Sequence, residues 1–150
     1  MPTWKAKGPA AISSASFSPL TGNKVVTISY DDSIKLFDTS DENMAKHHGT
    51  KLKPYQTIDH YTKTNKTTVP IKAEWHPRFY DTFFVGSSYT NGNPRSNRKM
   101  HGIDVVSDQG NSFTLSSPQL KSLCSIVKCH PTQDIIAGAD SHGKVHVFMA

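Results

Sequence analysis

Cysteine is scarce in this sequence: among its 150 residues, only Cys124 and Cys129 are cysteine. Two cysteines at this spacing make neither a disulfide framework nor a set of zinc ligands, so both are expected to be reduced structural thiols in an intracellular compartment. Long apolar runs are absent too, since no window approaches the roughly eighteen apolar residues that a membrane-spanning helix needs. Residues 1–5 show no apolar signal core. These absences argue against a membrane protein and against a disulfide-rich secreted domain.

Motifs for catalysis and for metal binding are missing as well. The sequence has no Gly-x-Ser-x-Gly nucleophile elbow and no Gly-x-x-x-x-Gly-Lys phosphate loop, and neither cysteine has an evident base partner. Eight histidines are present, but no spacing of Cys and His fits a metal site. We therefore expect no enzyme activity, no catalytic residue, no cofactor, no bound metal and no small-molecule substrate.

A short pattern is present three times along the chain. Phe17-Ser18-Pro19, Trp75-His76-Pro77 and Cys129-His130-Pro131 each close a short apolar run, and each is followed by two more β-rich runs. In the first and last copies an Asp/Gly/Ser turn joins those two runs, which is typical of a β-hairpin. The histidine at the same place in two copies indicates a structural role at a strand end. Because no stretch holds a period of 3.6 residues, the predicted class is all-β, an array of similar units with insertions.

The repeats divide the chain into three units, at 11–61, 70–118 and 120–150, with polar insertions at 39–53 and 88–100. The first insertion is too hydrophilic to bury. The second is dense in Asn, Gly, Pro and Arg, so it is predicted to be a long exposed loop and not a strand. The predicted strands are 12–17, 24–30, 34–38 and 55–60 in the first unit, 71–76, 82–87, 101–106 and 112–115 in the second, and 134–140 and 144–148 in the third.

Some side chains have predicted roles within these units. The aromatic residues expected to face the interior are Phe17, Trp75, Phe84 and Phe148, whereas Tyr80 and Tyr89 are candidates for surface contact. Carboxylates at turns hydrogen-bond nearby hydroxyl and backbone groups, so a turn-forming role is expected, and not catalysis, for Asp31, Asp38 and Asp140.

These units resemble the blades of a WD-repeat β-propeller, in which Phe37-Asp38 takes the place of the usual Trp-Asp pair. A propeller needs at least about four blades of roughly forty residues. We therefore expect about three C-terminal blades of a larger ring with seven blades. The alternative is a small stand-alone β-domain.

Positive charge is concentrated in the middle of the chain. Residues 44–101 hold ten Lys or Arg and three acidic residues, whereas the remainder holds seven basic and nine acidic residues. Most of the excess lies in the insertions and the connections between strands, which in a propeller project towards partners. This distribution predicts a face that binds a polyanion. The alternative is that basic loops only keep the protein in solution.

The strings of residues support a more specific resemblance. Residues 69–79, followed by Phe84-Val85-Gly86, resemble the late blades of damage-specific DNA-binding protein 2. The opening at 15–25 and the tail at 129–149 resemble the related WD repeat-containing protein 76 family even more. The resemblance covers essentially all of the chain outside the two polar insertions. It implies a nuclear propeller that binds DNA, prefers damaged duplex and serves as a substrate receptor of a cullin-type ubiquitin ligase.

The resemblance also implies where DNA would be contacted. In the damage-binding relative a hairpin before the Pro-Ile-Lys-Ala stretch inserts an aromatic-containing tripeptide into the minor groove, and the matching positions here are about 65–67. No aromatic residue stands there, so phosphate contacts are expected in place of a stacking wedge. The ligase-docking arginine that often follows the Trp-Asp pair is missing after Asp38. The candidate DNA-binding residues are Lys63, Lys66, Lys72, Arg78, Arg95, Arg98 and Lys99.

The predicted function is therefore a non-catalytic DNA-binding protein of the DNA-damage response. Its expected partners are duplex DNA and chromatin or ubiquitin-ligase adaptor proteins, with no membrane association. The alternative function is a protein-interaction scaffold whose basic loops bind an acidic or chromatin partner.

Overall fold

The structure is a computed structural model that describes residues 10–47, 51–61, 69–90 and 99–149. Its strands form three antiparallel sheets that follow one another along the chain in the order of the three repeats. Within each sheet, every strand pairs with the next one in sequence. The predicted all-β class with three blade-like units is confirmed.

The first sheet contains β1 (Ile12–Phe17), β2 (Lys24–Ser29), β3 (Ser33–Asp38) and β4 (Gln56–Asp59). All four strands agree with the predicted ones to within two residues. The insertion between β3 and β4 holds one short helix, α1 (Asp41–Lys46), which was not predicted. It begins at Ser40, whose hydroxyl accepts the N–H of Asn43 at 3.4 Å. The helix buries none of its residues, as expected for so hydrophilic an insertion.

The second sheet contains β5 (Glu74–Trp75), β6 (Thr82–Thr90), β7 (Lys99–Ser107) and β8 (Ser112–Ser116). The predicted inner strand at 71–76 is too long, because the N–H of Lys72 donates to the Ser125 carbonyl of the third sheet at 3.0 Å and not to β6. The predicted loop at 88–100 is wrong at both ends. There the ladder continues through the pairs Tyr89↔Met100 and Thr90↔Lys99, which satisfies backbone groups that a loop would leave to water.

The third sheet has three strands, β9 (Cys124–Cys129), β10 (Ile135–Asp140) and β11 (Val145–Met149). The sheets pack face to face, with one apolar core between the first and second and another between the second and third. Trp75 and Phe83 lie in the first core with their rings 5.4 Å apart in an edge-on arrangement, and Phe84 lies in the second. The interior positions predicted for Trp75 and Phe84 are confirmed, and Phe148 packs half-buried against the second core.

Phe17 corrects one prediction, since 64% of its surface is exposed. Successive side chains in a strand point to opposite faces. The second sheet lies against the β1 backbone where the Trp75 indole N–H donates to the Ser16 carbonyl at 2.9 Å. Phe17 therefore lies on a side of β1 that the described part of the chain leaves uncovered.

Strand direction gives the stack two distinct ends. We call upper the end where β2 joins β3, where β6 pairs with the start of β7, and where β10 joins β11. We call lower the opposite end, where β1 joins β2, β5 joins β6 and β9 joins β10. In each sheet the chain enters the first strand from the upper end. The connections from β4 to β5 and from β8 to β9 therefore begin and end there. In the described segments, no helix has the length and apolar character needed to cross a membrane.

Candidate nucleic-acid interface

The predicted DNA-binding residues do not all lie at one end of the stack. Lys72 is exposed and lies just before β5, and Lys99 begins β7, so both mark the upper end. Lys99 is described by its backbone alone. Four others lie outside the described residues: Lys63, Lys66, Arg95 and Arg98. The segments that carry them are bounded by upper-end residues, Tyr61 and Val69 for one and Thr90 and Lys99 for the other.

Arg78 lies at the lower end, between β5 and β6. Its guanidinium donates to the Asp134 carboxylate of the third sheet, and 41% of the Arg78 side chain remains exposed. The structure therefore separates Arg78 from Lys72 and Lys99 and gives it a partner that links two sheets.

The repeated histidines shape the lower-end turns. The Nδ1 atom of His76 accepts the backbone N–H groups of Arg78 at 3.0 Å and Phe79 at 3.1 Å. His130 holds the matching turn through the N–H groups two and three residues later, at 3.2 and 3.0 Å. Burial, and then the charge of Arg78, lower the pKa of His76 and favour the neutral imidazole that can accept these bonds. The predicted structural role of both histidines is confirmed.

Three carboxylates each accept several hydrogen bonds, and we call them hubs; the first is Asp31, at the upper end of the first sheet. Its carboxylate accepts the Ser29 and Ser33 hydroxyls at 2.5 and 2.6 Å and the Lys35 ammonium at 2.7 Å. The bond from Lys35, followed by those from the two serines, holds the pKa of Asp31 well below its ordinary value. The predicted turn-forming role is confirmed, and this carboxylate is fully engaged inside its own sheet.

Asp104, on β7, is a second hub and joins two sheets. It accepts the Ser87 hydroxyl at 2.8 Å, the Thr114 hydroxyl at 2.6 Å and the Nε2–H of His60 from the first sheet at 3.1 Å. Burial raises the pKa of Asp104, but the hydrogen bonds from His60, Thr114 and Ser87 outweigh burial and hold the pKa below its ordinary value. The charged form is thus the one that the structure stabilises.

Asp140, at the end of β10, is the third hub, and its side chain is 2% exposed. It accepts the backbone N–H groups of His142 at 2.9 Å and Lys144 at 3.0 Å, and the Nε2–H of His146 at 3.1 Å. Burial raises the pKa of Asp140, yet these bonds keep it well below its ordinary value. Each sheet therefore contains one carboxylate, Asp31, Asp104 or Asp140, that several hydrogen bonds engage.

The lower-end cations, in contrast, are largely neutralised. Lys24 pairs with Asp108 and lies 4.9 Å from the centre of the Tyr80 ring, Arg78 pairs with Asp134, and Lys46 pairs with Glu42. Exposed Lys51 and Lys53 are outside any ion pair in the described segments. They share this end with three carboxylates that are likewise outside any described ion pair, Asp38, Asp41 and Asp81.

At the upper end, three exposed lysines make no ion pair within the described ranges: Lys72, Lys121 and Lys144. The linear count of charge missed the last two, because it pooled everything outside 44–101, where nine acidic residues outnumber seven basic ones. Assigning each connection of the repeat to an end of the sheet would have found both. Unpaired positive charge is therefore concentrated at the upper end, where a phosphate backbone could approach it.

Neither cysteine is activated as a nucleophile. Both cysteines are free, and burial raises the pKa of Cys124 to about 11 and that of Cys129 to about 12, so the thiols stay protonated near neutral pH. Among the described residues, no group of three or more His, Cys, Asp or Glu is arranged to hold a metal ion.

Comparison with solved structures defines the class of fold. The chain superposes on the β-propeller domain of Cps50 (Swd1) from Myceliophteria thermophila with a TM-score of 0.57 and 12% identity, over 93% of this chain and 40% of that one. No protein-family model matches the sequence. The three sheets are therefore three blades of a larger β-propeller.

Sequence relatives identify which propellers it resembles. WD repeat-containing protein 76 of Mus musculus is 38% identical over 93% of this chain. DNA damage-binding protein CMR1 of Vanderwaltozyma polyspora is 29% identical over 92%, and Protein DAMAGED DNA-BINDING 2 of Arabidopsis thaliana is 26% identical over 87%. The resemblance to the WD repeat-containing protein 76 family is confirmed. The chain spans only 20 to 22% of the length of these relatives.

Proposed function

We propose that this chain is part of a non-catalytic nuclear WD-repeat protein of the DNA-damage response, which binds duplex DNA with the upper end of its blades. The observation that supports the proposal is that positive charge at the upper end is left unpaired more often than negative charge. The carboxylates of Asp31, Asp104 and Asp140 are engaged by hydrogen bonds within the blades, while Lys72 and two further lysines at the upper end have no carboxylate partner among the described residues. Asp59 is the exposed upper-end carboxylate that no described hydrogen bond or ion pair engages, so these three lysines still leave an excess of positive charge there. Relatives named for binding damaged DNA support the same function.

Phosphate contacts would provide most of the affinity. Lys72 lies just before β5 and Lys99 begins β7, both at the upper end. Lys63, Lys66, Arg95 and Arg98 lie outside the described residues, in segments whose described neighbours are at that end. Lysine and arginine position a duplex through its phosphates without reading the bases. Because 65–67 (Asn-Lys-Thr) contains no aromatic residue, these positions supply no stacking wedge.

A protein partner would use the other end. Phe79 and Tyr80 are 54% and 60% exposed in the β5–β6 connection, where the nearby cations are already paired. Exposed aromatic residues beside neutralised charge suit a protein contact better than a phosphate backbone. We propose this lower-end surface as the contact for a chromatin or ubiquitin-ligase adaptor protein. If DNA binding fails, the scaffold function is the second candidate.

The proposal is tested by fluorescence anisotropy with damaged and undamaged duplexes at several salt concentrations. Each phosphate neutralised contributes about −0.9 to the slope of log affinity against log salt. With four or more phosphate contacts we expect a slope of about −3.6 or steeper, and tighter binding to the damaged duplex. Absence of binding at low salt would refute the DNA-binding function and leave the scaffold.

Arg78→Ala is expected to leave that salt slope unchanged, since Arg78 lies at the lower end and pairs with Asp134. Its effect on stability is expected to stay below about 1 kcal/mol, as for other exposed ion pairs. Lys72→Ala is the comparison and is expected to make the slope shallower by about 0.9. An equal change in slope for both variants would return Arg78 to the DNA-contacting residues.

A further inference from the structure

Lys121, in the connection from β8 to β9, is presented to solvent on a fixed backbone. The residues on either side of it are buried, with Leu120 5% and Ser122 7% exposed, whereas Lys121 itself is exposed. The turn before it is closed by the Leu120 N–H, which donates to the Ser117 carbonyl at 3.0 Å. Since the backbone is already ordered, a contact from this ammonium group would lose little backbone entropy.

Lys144, in the β10–β11 turn, is fixed in a similar way. Its N–H donates to the Asp140 carboxylate at 3.0 Å, and its carbonyl accepts the Asp140 N–H at 3.0 Å. Gly143 before it has a φ of 74°, a left-handed conformation that glycine adopts without cost from a side chain. The exposed Lys144 side chain thus projects from a turn that is closed by four hydrogen bonds, counting those from the His142 N–H to the Asp140 carboxylate and from the Gly143 N–H to the Asp140 carbonyl.

Both lysines lie next to residues that surround the same carboxylate. Lys144 bonds Asp140 directly through its backbone. The buried Ser122 hydroxyl, one residue from Lys121, also favours the charged form of Asp140, although it does not meet the geometry of a full hydrogen bond. The Asp140 carboxylate is covered and accepts the Nε2–H of His146 at 3.1 Å, so it offers neither lysine an exposed partner.

We propose that Lys121 and Lys144 make two further phosphate contacts, which extend the DNA-binding surface from the second sheet across the upper end of the third. This inference rests on the proposed function, and neither lysine is among the candidate residues predicted from the sequence. The ligand is a nucleic-acid backbone, recognised through its phosphates and not through its bases.

The test compares two double variants of the intact protein in the same anisotropy titration. Lys121→Ala with Lys144→Ala is expected to make the salt slope shallower by about 1.8, because each phosphate contact contributes about 0.9. Lys51→Ala with Lys53→Ala removes the same charge from exposed lysines at the lower end and is the matched control. The control slope is expected to equal that of the wild type, and circular dichroism is expected to show both variants folded.

The outcomes separate this inference from the function on which it rests. Wild-type binding with an unchanged slope in the Lys121/Lys144 variant would overturn the inference and leave the proposed function intact. An equal loss in both double variants would also overturn it, since the effect would then follow net charge alone. Failure of the wild type to bind would refute the proposed function itself.

Discussion

Replacing Gly86 by alanine is expected to lower the free energy of unfolding by roughly 3 kcal/mol or more, as overpacking against rigid backbone does. Gly86 lies on β6 where the second sheet packs against β9 of the third. A Cβ added there would overlap the Cys124 carbonyl oxygen and lie 2.7 Å from its carbonyl carbon. Since both atoms belong to the backbone of a paired strand, no side-chain rotation can relieve the overlap.

Urea unfolding at neutral pH measures this effect, and Gly22→Ala is its control. Gly22 also has no side chain, but a Cβ there would meet nothing within 4 Å, and only its φ of 66° disfavours alanine. Gly22→Ala is expected to lower the free energy of unfolding by about 1 kcal/mol. Equal losses for the two variants would contradict the close packing of β6 on β9.

Asp104→Ala is expected to cost about 3 kcal/mol at pH 7, because it leaves the buried Ser87 hydroxyl and the buried His60 N–H without their acceptor. The Ser87 hydroxyl comes from β6 and the His60 imidazole from the first sheet, whereas the Thr114 hydroxyl on β8 is exposed and can bond water instead. Only 7% of the His60 side chain and 15% of the Asp104 side chain are exposed, so water replaces little of what is lost. The loss would fall mainly on the junction between the first two sheets.

The pH dependence gives this prediction a second readout. Hydrogen bonds hold the pKa of Asp104 below its ordinary value, so its contribution to stability is complete above the unfolded-state pKa of about 4. That contribution is lost as the pH falls through the folded-state pKa. The difference in unfolding free energy between wild type and the Asp104→Ala variant is therefore expected to become smaller in acid.

Asp59→Ala is the control. It removes an exposed acid at the end of β4 and is expected to change stability by less than about 0.5 kcal/mol at pH 7. If Asp104→Ala lowered the unfolding free energy by the same amount at every pH, the stabilising effect of the ionised Asp104 carboxylate would be contradicted.

The fold was largely predictable because its strands are local patterns. The β2–β3 hairpin and the repeated Pro-terminated strands are visible as apolar runs with turn residues between them. Helix α1 was missed because it buries no residue and so has no apolar periodicity. The ends of β6 and β7 were missed because the Asn, Gly and Pro content of the segment between them dominated the assignment.

The site was less predictable, because charge along the sequence does not show which end of a sheet a residue occupies. Lys72 and Arg78 are six residues apart, yet β5 carries the chain from one end to the other between them. The ion pair of Arg78 could not be found from the sequence either, since its partner Asp134 lies more than fifty residues away. Asp31 could be assigned correctly because its partners Ser29, Ser33 and Lys35 are all within four residues.

The central claim is that DNA lies against the upper end of the blades, and lysine footprinting tests it most directly. The intact protein would be acetylated with and without duplex DNA, and each modified lysine would be quantified by mass spectrometry. We expect DNA to protect Lys72, Lys121 and Lys144 and to leave Lys51 and Lys53 as reactive as before. Protection of the lower-end pair, with the upper-end lysines unchanged, would contradict the claim.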